Sequence, residues 1–588
     1  MKERGNTINI RIIGGALLSL IIPLAIVLIA VRAWETNFCL EDSFGGDGML
    51  CQLLIKSIAN NGIRGLWIDN YLGAPELSSL VDTPFLDLPM GMEIFMLTRV
   101  IKSTRAVLWA MYIISYPCIG VFMYVLVTRK LTDYQVLNAA IAIAYSIAPY
   151  HFIRAMGHST LSRYYSVPIC VFISMLIIEE EYRKGSPVRY GKFKTICMYL
   201  LCLLLGLSNI YYAFFGLVCI FSAVLIKILR TKSVRVLWNE ALAVYFTLLG
   251  VFIGLFPHIY YTIKYGENSV AGVRYPQETE MFALKIIQLV LPCGYNRIPF
   301  LRNMNTAYST AAFNINENGM ASLGLLATIG FICACGIIVS KFAFDNNERT
   351  DRPSRRLTLF SFLILVLIVY SMGGGIGTIV AYLITPEIRA LNRCSIVISC
   401  LSLCVLNILV GKLYDFSKRN KTLLAFYSIV LMAVGLTLYS EVRISDKGWQ
   451  EPLKERNEIC HRFFDDVQNS LEKGTLIYQL PHTDFPESLP SGTMTFYEPA
   501  LAYVMTDGFM WSYGGIMGRD TKAHDLYIDD GISDDFVNGI KEAGFTAVYI
   551  DTKGYDDGGE EIISFYSDEL GLSPIISDDA SLYLYVLN

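Results

Sequence analysis

Apolar residues along this chain come in long blocks separated by short polar connections. Eleven blocks approach the ~20 residues that carry a helix across a bilayer: roughly 11–31, 106–128, 135–153, 164–180, 193–209, 210–229, 237–263, 319–340, 357–372, 394–411 and 422–440. The first is too long for a signal-peptide core and no small-residue cleavage site follows it, so it reads as a retained span. After residue 440 the pattern changes. Helix-like stretches (452–472, 533–543) alternate with short strand-like runs at Thr475–Leu480, Thr546–Ile550 and Leu582–Val586, which predicts a small α/β domain. The expected organisation is a polytopic α-helical membrane domain over 1–440, with a long first loop at 33–105, followed by an α/β domain over 441–588.

The polar connections give a direction. Alternate short loops carry Arg129 and Lys130; Arg183, Lys184, Arg189, Lys192 and Lys194; Lys227, Arg230, Lys232 and Arg235; Lys341, Arg349, Arg352, Arg355 and Arg356; and Lys412, Lys418, Arg419 and Lys421. Such loops face the cytoplasm. The N-terminus is therefore expected inside, and the odd span count puts the C-terminal domain outside the cytoplasmic membrane. The outer segments are then 33–105, 154–163, about 264–318 and 373–393. The last begins with glycines and holds an apolar run, 378–384, too short to span; a re-entrant or interfacial segment is expected.

Composition agrees with this class: 54% of residues are hydrophobic, 17% are charged, and the net charge of −4 provides no basic field for nucleic acid. Most of the 14 cysteines sit inside apolar blocks, where a thiol acts as a small hydrophobe. Cys39 and Cys51 share an outer loop, and a disulfide between them is left open.

Candidate chemistry gathers in the outer segments. The first loop reads Glu41-Asp42-Ser-Phe-Gly-Gly46-Asp47-Gly48, then runs into a stripe of Met49, Leu50, Leu53, Leu54 and Ile58 at helical spacing. The stripe predicts a helix in the membrane interface. Asp47 stands at its start, either as an N-cap or as a reactive carboxylate beside glycines that allow close approach. Asp82 and Asp87 lie in a proline-rich stretch where turn-building acids are common. His151, Arg154 and His158 cluster at the outer end of a span, where ionisable groups are costly and often functional; snorkelling to the interface is the other reading. Arg389, Asn392 and Arg393 follow the glycine-rich segment, with both arginines on one helical face and suited to phosphate. The loop after span seven adds Arg274, Arg297, Arg302 and Glu317 without a single evident chemistry. There is no P-loop, dinucleotide fingerprint, GxSxG or HExxH. The six histidines read as scattered, with no metal-ligand spacing, and a divalent cation on Asp42, Asp47 or Asp82 would leave little trace in sequence.

The order of these pieces resembles the GT-C superfamily of membrane glycosyltransferases, which use polyprenyl-phosphate-linked sugars. The resemblance rests on a first span, then an acidic outer loop with an Asp before a helix, many spans and an outer C-terminal domain. Gly46-Asp47-Gly48, Asn70-Tyr-Leu-Gly73-Ala-Pro75, Asp87-Leu-Pro89, Pro149-Tyr-His151-Phe-x-Arg154, Ile388–Arg393, Trp511–Gly515 and Gly518-Arg519 also resemble a poorly characterised bacterial branch. The resemblance implies transfer of a sugar from a polyprenyl-phosphate donor to an extracytoplasmic glycan, lipid or protein, with Asp47 as general base and Arg389, Arg393, Arg154 or His151 at the leaving phosphate. It implies no metal in the protein O-mannosyltransferase and aminoarabinose transferase branches, and one in the oligosaccharyltransferase branch. The paired acidic motif of the mannosyltransferases is not evident at Glu41-Asp42. Two other readings stay open: a transporter or flippase of lipid-linked sugars, and a non-catalytic scaffold for envelope assembly.

Overall fold

The computed structural model describes residues 2–83, 87–180, 192–232, 238–312, 317–344, 352–519 and 521–587. Basic residues Arg183, Lys184, Arg189, Arg235 and Arg349 lie outside the described residues. Among those described, ten helices are long and apolar enough to cross a membrane: Ile10–Ala30, Thr104–Lys130, Gln135–Arg154, Ser159–Glu179, Ile210–Arg230, Glu240–Tyr265, Leu325–Phe342, Pro353–Ser371, Leu391–Arg419 and Leu423–Glu441. The chain is a multi-pass membrane protein. The block expected at 193–209 forms the apolar helix Lys192–Leu207, shorter than these ten. The helix Leu391–Arg419 is the bundle's centre: Ile396, Val397, Leu401, Cys404 and Val405 are fully buried against Tyr145, Tyr164 and Phe360. The run after Gly375 forms the helix Ile376–Leu383. Ile379, Tyr382, Leu383 and Ile384 project from it, exposed and apolar.

Two short strands, β1 (Ile68–Asp69) and β2 (Ser78–Ser79), pair antiparallel in the first loop. Near the C-terminus, β3 (Leu476–Leu480), β4 (Met510–Trp511), β5 (Ala547–Asp551), β6 (Ile575–Ile576) and β7 (Leu582–Val586) form a mixed sheet in the order β4-β3-β5-β7-β6. β3 is parallel to β4 and β5, and β7 is antiparallel to β5 and β6. Side chains alternate across it as strand geometry requires. Ile477, Ala547, Tyr549 and Leu584 pack on one face with Phe463 and Phe464 of the helix Glu451–Ser470. Tyr478, Val548, Ile550 and Tyr585 pack on the other with Phe536 and Ile540 of the helix Asp534–Glu542.

The first loop is welded to this sheet by backbone. Trp511 N–H donates to Tyr71 C=O at 2.9 Å, Ala74 N–H to Trp511 C=O at 2.9 Å and Gly73 N–H to Tyr513 C=O at 2.9 Å. Ser78 Oγ closes the contact on Gly514 C=O at 2.6 Å. The segments Tyr71–Pro75 and Trp511–Gly515, over 400 residues apart in sequence, thus form one extended edge.

The helix Gly46–Asn61 corrects an expectation. It does not lie on lipid: every residue from Gly48 to Ile58 is buried, the polar Gln52, Lys56 and Ser57 included. Met49, Leu53 and Ile58 pack between Val107 and Met111 of a span and Phe463, Tyr503 and Trp511 of the C-terminal part. A one-sided apolar stripe specifies burial but not whether lipid or protein covers it. Cys39 and Cys51 are both free thiols, and Cys51 Sγ lies 2.9 Å from Ser159 Oγ.

Candidate active site

Asp47 is held by a turn that its neighbours build. Gly46 has φ +67°, a left-handed value that suits glycine. Gly45 passes so close to the C-terminal part that a Cβ there would meet Thr495 Oγ1 at 1.9 Å. Gly46 N–H donates to Phe496 C=O at 2.5 Å. Gly45, not Asp47, is the N-cap, and no side chain caps the helix. The carboxylate of Asp47 is therefore free of capping duty and stands in a cavity of about 300 Å³ lined by Asp42, Ser43, Gly45, Gly46, Gly48, Arg105, Ala155, Met156, Gly157 and His158.

The opposite wall is a strained loop. Ala155, just past the helix Pro149–Arg154, has φ +39°, ψ −137°, a region that costs a non-glycine residue about 1–3 kcal/mol. This bend carries His158 Nε2 to 3.6 Å from Asp47 Oδ2. The Asp47 side chain is 57% exposed, and it lines a cavity with protein on several sides. That enclosure raises its pKa above the usual 3.8; Arg393 and Arg154 oppose the rise, and Glu487 and Glu317 add to it. His158 is pushed the other way, down to about 4, by burial first and then by the charge of Arg154.

Glu317 is the hub beside Asp47. It accepts a bidentate pair from Arg154 at 3.0 and 2.6 Å, one hydrogen bond from Asn392 Nδ2 at 3.2 Å, and faces Arg393 Nη2 at 3.8 Å. Arg393 lies over the Tyr211 ring and Arg154 over that of Tyr150. Burial alone would raise Glu317, but Arg154, then Arg393, hold it down at about 2. The two guanidiniums outnumber the Glu317 carboxylate and are balanced by that of Asp47 beside them. Nε of Arg154 and of Arg393 is buried with no hydrogen-bond partner among the described residues, as is Nε of Arg105, Arg163 and Arg456.

The remaining expected residues separate into structural roles. Asp42 pairs with the buried Arg105 on the cavity wall. Arg389 pairs with Glu278 and lies over Phe282, next to a second bidentate pair, Arg274 with Glu487 at 2.9 Å. Asp82 is a tie, accepting from Arg519 Nε at 2.8 Å and Asn268 at 3.1 Å. Asp87 caps the helix Leu88–Thr98 through Met90 N–H at 2.8 Å. His151 is fully buried between helices, stacked 3.6 Å from Tyr116, with Nε2 on Ser115 at 2.7 Å and Nδ1 on Ser146 C=O at 2.9 Å. These bonds account for both ring nitrogens, and the ring presents nothing to the cavity. Arg105, Glu317 and Glu487 lacked an assigned chemistry in sequence. Arg105 carried the same signal as Arg154, an ionisable group at the end of a span; the partners of Glu317 and Glu487 are remote in sequence and gave none. The histidines are also not all scattered: His482, Asp484 and His524 meet away from this cavity.

No family model matches the chain, and no curated protein matches it. Solved structures do. An oligosaccharyltransferase of Archaeoglobus fulgidus superposes with TM-score 0.44 at 10% identity, over 91% of this chain and 68% of that one. ArnT from Cupriavidus metallidurans bound to undecaprenyl phosphate gives 0.39 at 10% identity, over 97% and 98%. The mycobacterial arabinofuranosyltransferase AftD gives 0.44 at 10% identity, over 97% and 40%. These are glycosyltransferases of the GT-C superfamily, the one the sequence motifs resemble.

Proposed function

We propose that the protein transfers a sugar from a polyprenyl-phosphate donor to an acceptor hydroxyl outside the cytoplasm, with Asp47 as general base. The observation that carries this is the uncapped carboxylate of Asp47 in a cavity beside the Arg154–Glu317–Arg393 cluster. The acceptor O–H attacks the anomeric carbon as its proton passes to Asp47, and the bond from that carbon to the phosphate oxygen breaks. Polyprenyl phosphate leaves with the bonding pair, and the anomeric centre inverts. A positioned base contributes ~10²–10⁴-fold, and the raised pKa of Asp47 makes it a better base than an exposed aspartate. Arg393 and Arg154, with Asn392, stabilise charge growing on the departing phosphate; His158, neutral near pH 7, faces Asp47 at 3.6 Å across the same cavity. Asp42, Asp82, Asp87 and His151 keep the structural roles their contacts define, and Arg389 borders the site through Glu278. The positive loops support a cytoplasmic N-terminus with the cavity and sheet outside, where lipid-linked rather than nucleotide sugars are at hand.

Binding of the product tests the cationic half of the site. Purified protein in nanodiscs is titrated with a labelled polyprenyl phosphate, with the neutral polyprenol as control. The expected result is saturable binding that the alcohol does not compete for and that Arg393→Ala weakens at least tenfold. Equal competition by the alcohol, or no effect of the substitution, would remove the assigned role.

A further inference from the structure

The loop after β3 and the short helix Lys522–Asp525 bring together three metal-ligating groups that the transfer site does not use. His482 Nε2, an oxygen of Asp484 and a nitrogen of His524 lie within 4.8 Å of one another. His482 Nε2 is 3.5 Å from Asp484 Oδ1, and His524 Nδ1 is 3.1 Å from the same oxygen. Tetrahedral zinc with Zn–N and Zn–O near 2.0–2.2 Å has ligand–ligand edges on the order of 3.3–3.5 Å. Two of the three edges are therefore already near that length.

The surroundings fix the chemistry of His482. The Tyr478 hydroxyl donates its one hydrogen to Ala523 C=O at 2.7 Å. At His482 Nδ1, 3.3 Å away, that hydroxyl can then only accept. The proton sits on Nδ1, and Nε2 keeps a bare lone pair. Nε2 is buried and without a good hydrogen bond, because 3.5 Å to a carboxylate is too long. A lone pair facing a carboxylate across a gap, with the other ring nitrogen held by a second partner, is how a metal-binding histidine is prepared. Tyr527 stacks on the ring at 5.1 Å and 24°, which fixes its plane. His524 and Asp484 are partly open to solvent, which provides an approach for the ion and leaves a fourth position.

We propose that His482 Nε2, Asp484 and His524 Nδ1 bind a divalent transition metal, Zn²⁺ by ligand type, and that the ion staples the 481–487 segment to the helix Lys522–Asp525. That segment carries Glu487, which pairs with Arg274 and whose charge reaches Asp47, so the ion would hold in place a charge that acts on Asp47. The assignment stands whether or not the protein transfers sugar.

The test uses full-length protein in detergent, stripped with chelator and titrated with ZnCl₂ by calorimetry, with Co²⁺ absorption as a second readout. His524→Ala removes an exposed ligand with little risk to the fold, and Asp484→Asn removes the shared carboxylate while keeping its shape. Wild type is expected to bind one more Zn²⁺ than either variant, to melt at higher temperature with zinc, and to show Co²⁺ d–d bands that both variants lose. Equal stoichiometry and affinity in all three proteins would overturn the proposal, since the 14 cysteines and remaining histidines are common to them.

Discussion

Replacing Glu317 with Gln should expose how the cationic cluster is held together. Arg154 is 1% exposed and its carboxylate partner 16%, so the pair is screened little by water. The Glu317 carboxyl is shifted from 4.5 to about 2. That gap corresponds to roughly 3 kcal/mol in favour of the charged form. Because the folded pKa is depressed, this stability is fully present above pH 4.5 and is lost as pH falls towards 2. At neutral pH, Glu317→Gln leaves Arg154 buried without its counter-charge, a loss of about 3–5 kcal/mol. An unfolding entropy of about 2.1 cal/mol/K per residue across the whole chain turns 3 kcal/mol into a fall in Tm of roughly 2–3 °C, and more if only part of the chain melts. The assay is thermal unfolding by intrinsic fluorescence in one detergent, for Glu317→Gln, Arg154→Met and the double variant. The double variant should recover most of the loss, with a coupling of about 2 kcal/mol or more. Additive losses would refute the reasoning, because they would mean that the two side chains act independently.

Other consequences are simpler to read. Ala155→Gly relieves a left-handed φ and should raise Tm in the same assay while loosening His158 and lowering turnover. Asp87→Ala removes a helix cap and should cost about 1 kcal/mol. Asp87→Asn keeps the cap; burial raises Asp87 to about 6, so stability from its protonated form is complete below pH 3.8 and lost as pH rises through 6, and the Asn variant should match or exceed wild type at pH 8. The acid limb of turnover should lie above that of an ordinary aspartate, since Asp47 must be ionised to act and its pKa is raised; a pH–rate profile checks this.

Much of this architecture was legible in the sequence because membrane spans announce themselves by length and apolarity. The C-terminal strands were legible for a related reason: β3, β5 and β7 are short β-branched and aromatic runs between polar turns. The joint at Ser208-Asn209 was also legible: the blocks expected at 193–209 and 210–229 form the helices Lys192–Leu207 and Ile210–Thr231, with Asn209 as the N-cap of the second. His158, Arg154 and Arg393 were singled out by residue type near span ends and Asp47 by its place at the start of a loop helix, and the fold brings them to one place. The capping alternative for Asp47 could be decided only by backbone angles at Gly45 and Gly46. His151 misled because a buried histidine with two internal partners has the same one-letter signature as a reactive one. The Glu317 hub and the Leu72–Trp511 edge depend on contacts across hundreds of residues, for which one sequence carries no signal.

The central claim is that Asp47 removes the acceptor proton during transfer from a lipid-linked donor. The most direct measurement incubates purified protein in nanodiscs with a panel of polyprenyl-phosphate sugars and acceptor glycans, and follows release of free polyprenyl phosphate by wild type and Asp47→Asn. The account predicts release from one donor that falls at least ~10²-fold in Asp47→Asn, with Tm unchanged because Gly45 rather than Asp47 caps the helix. Release that survives the substitution in full would contradict it.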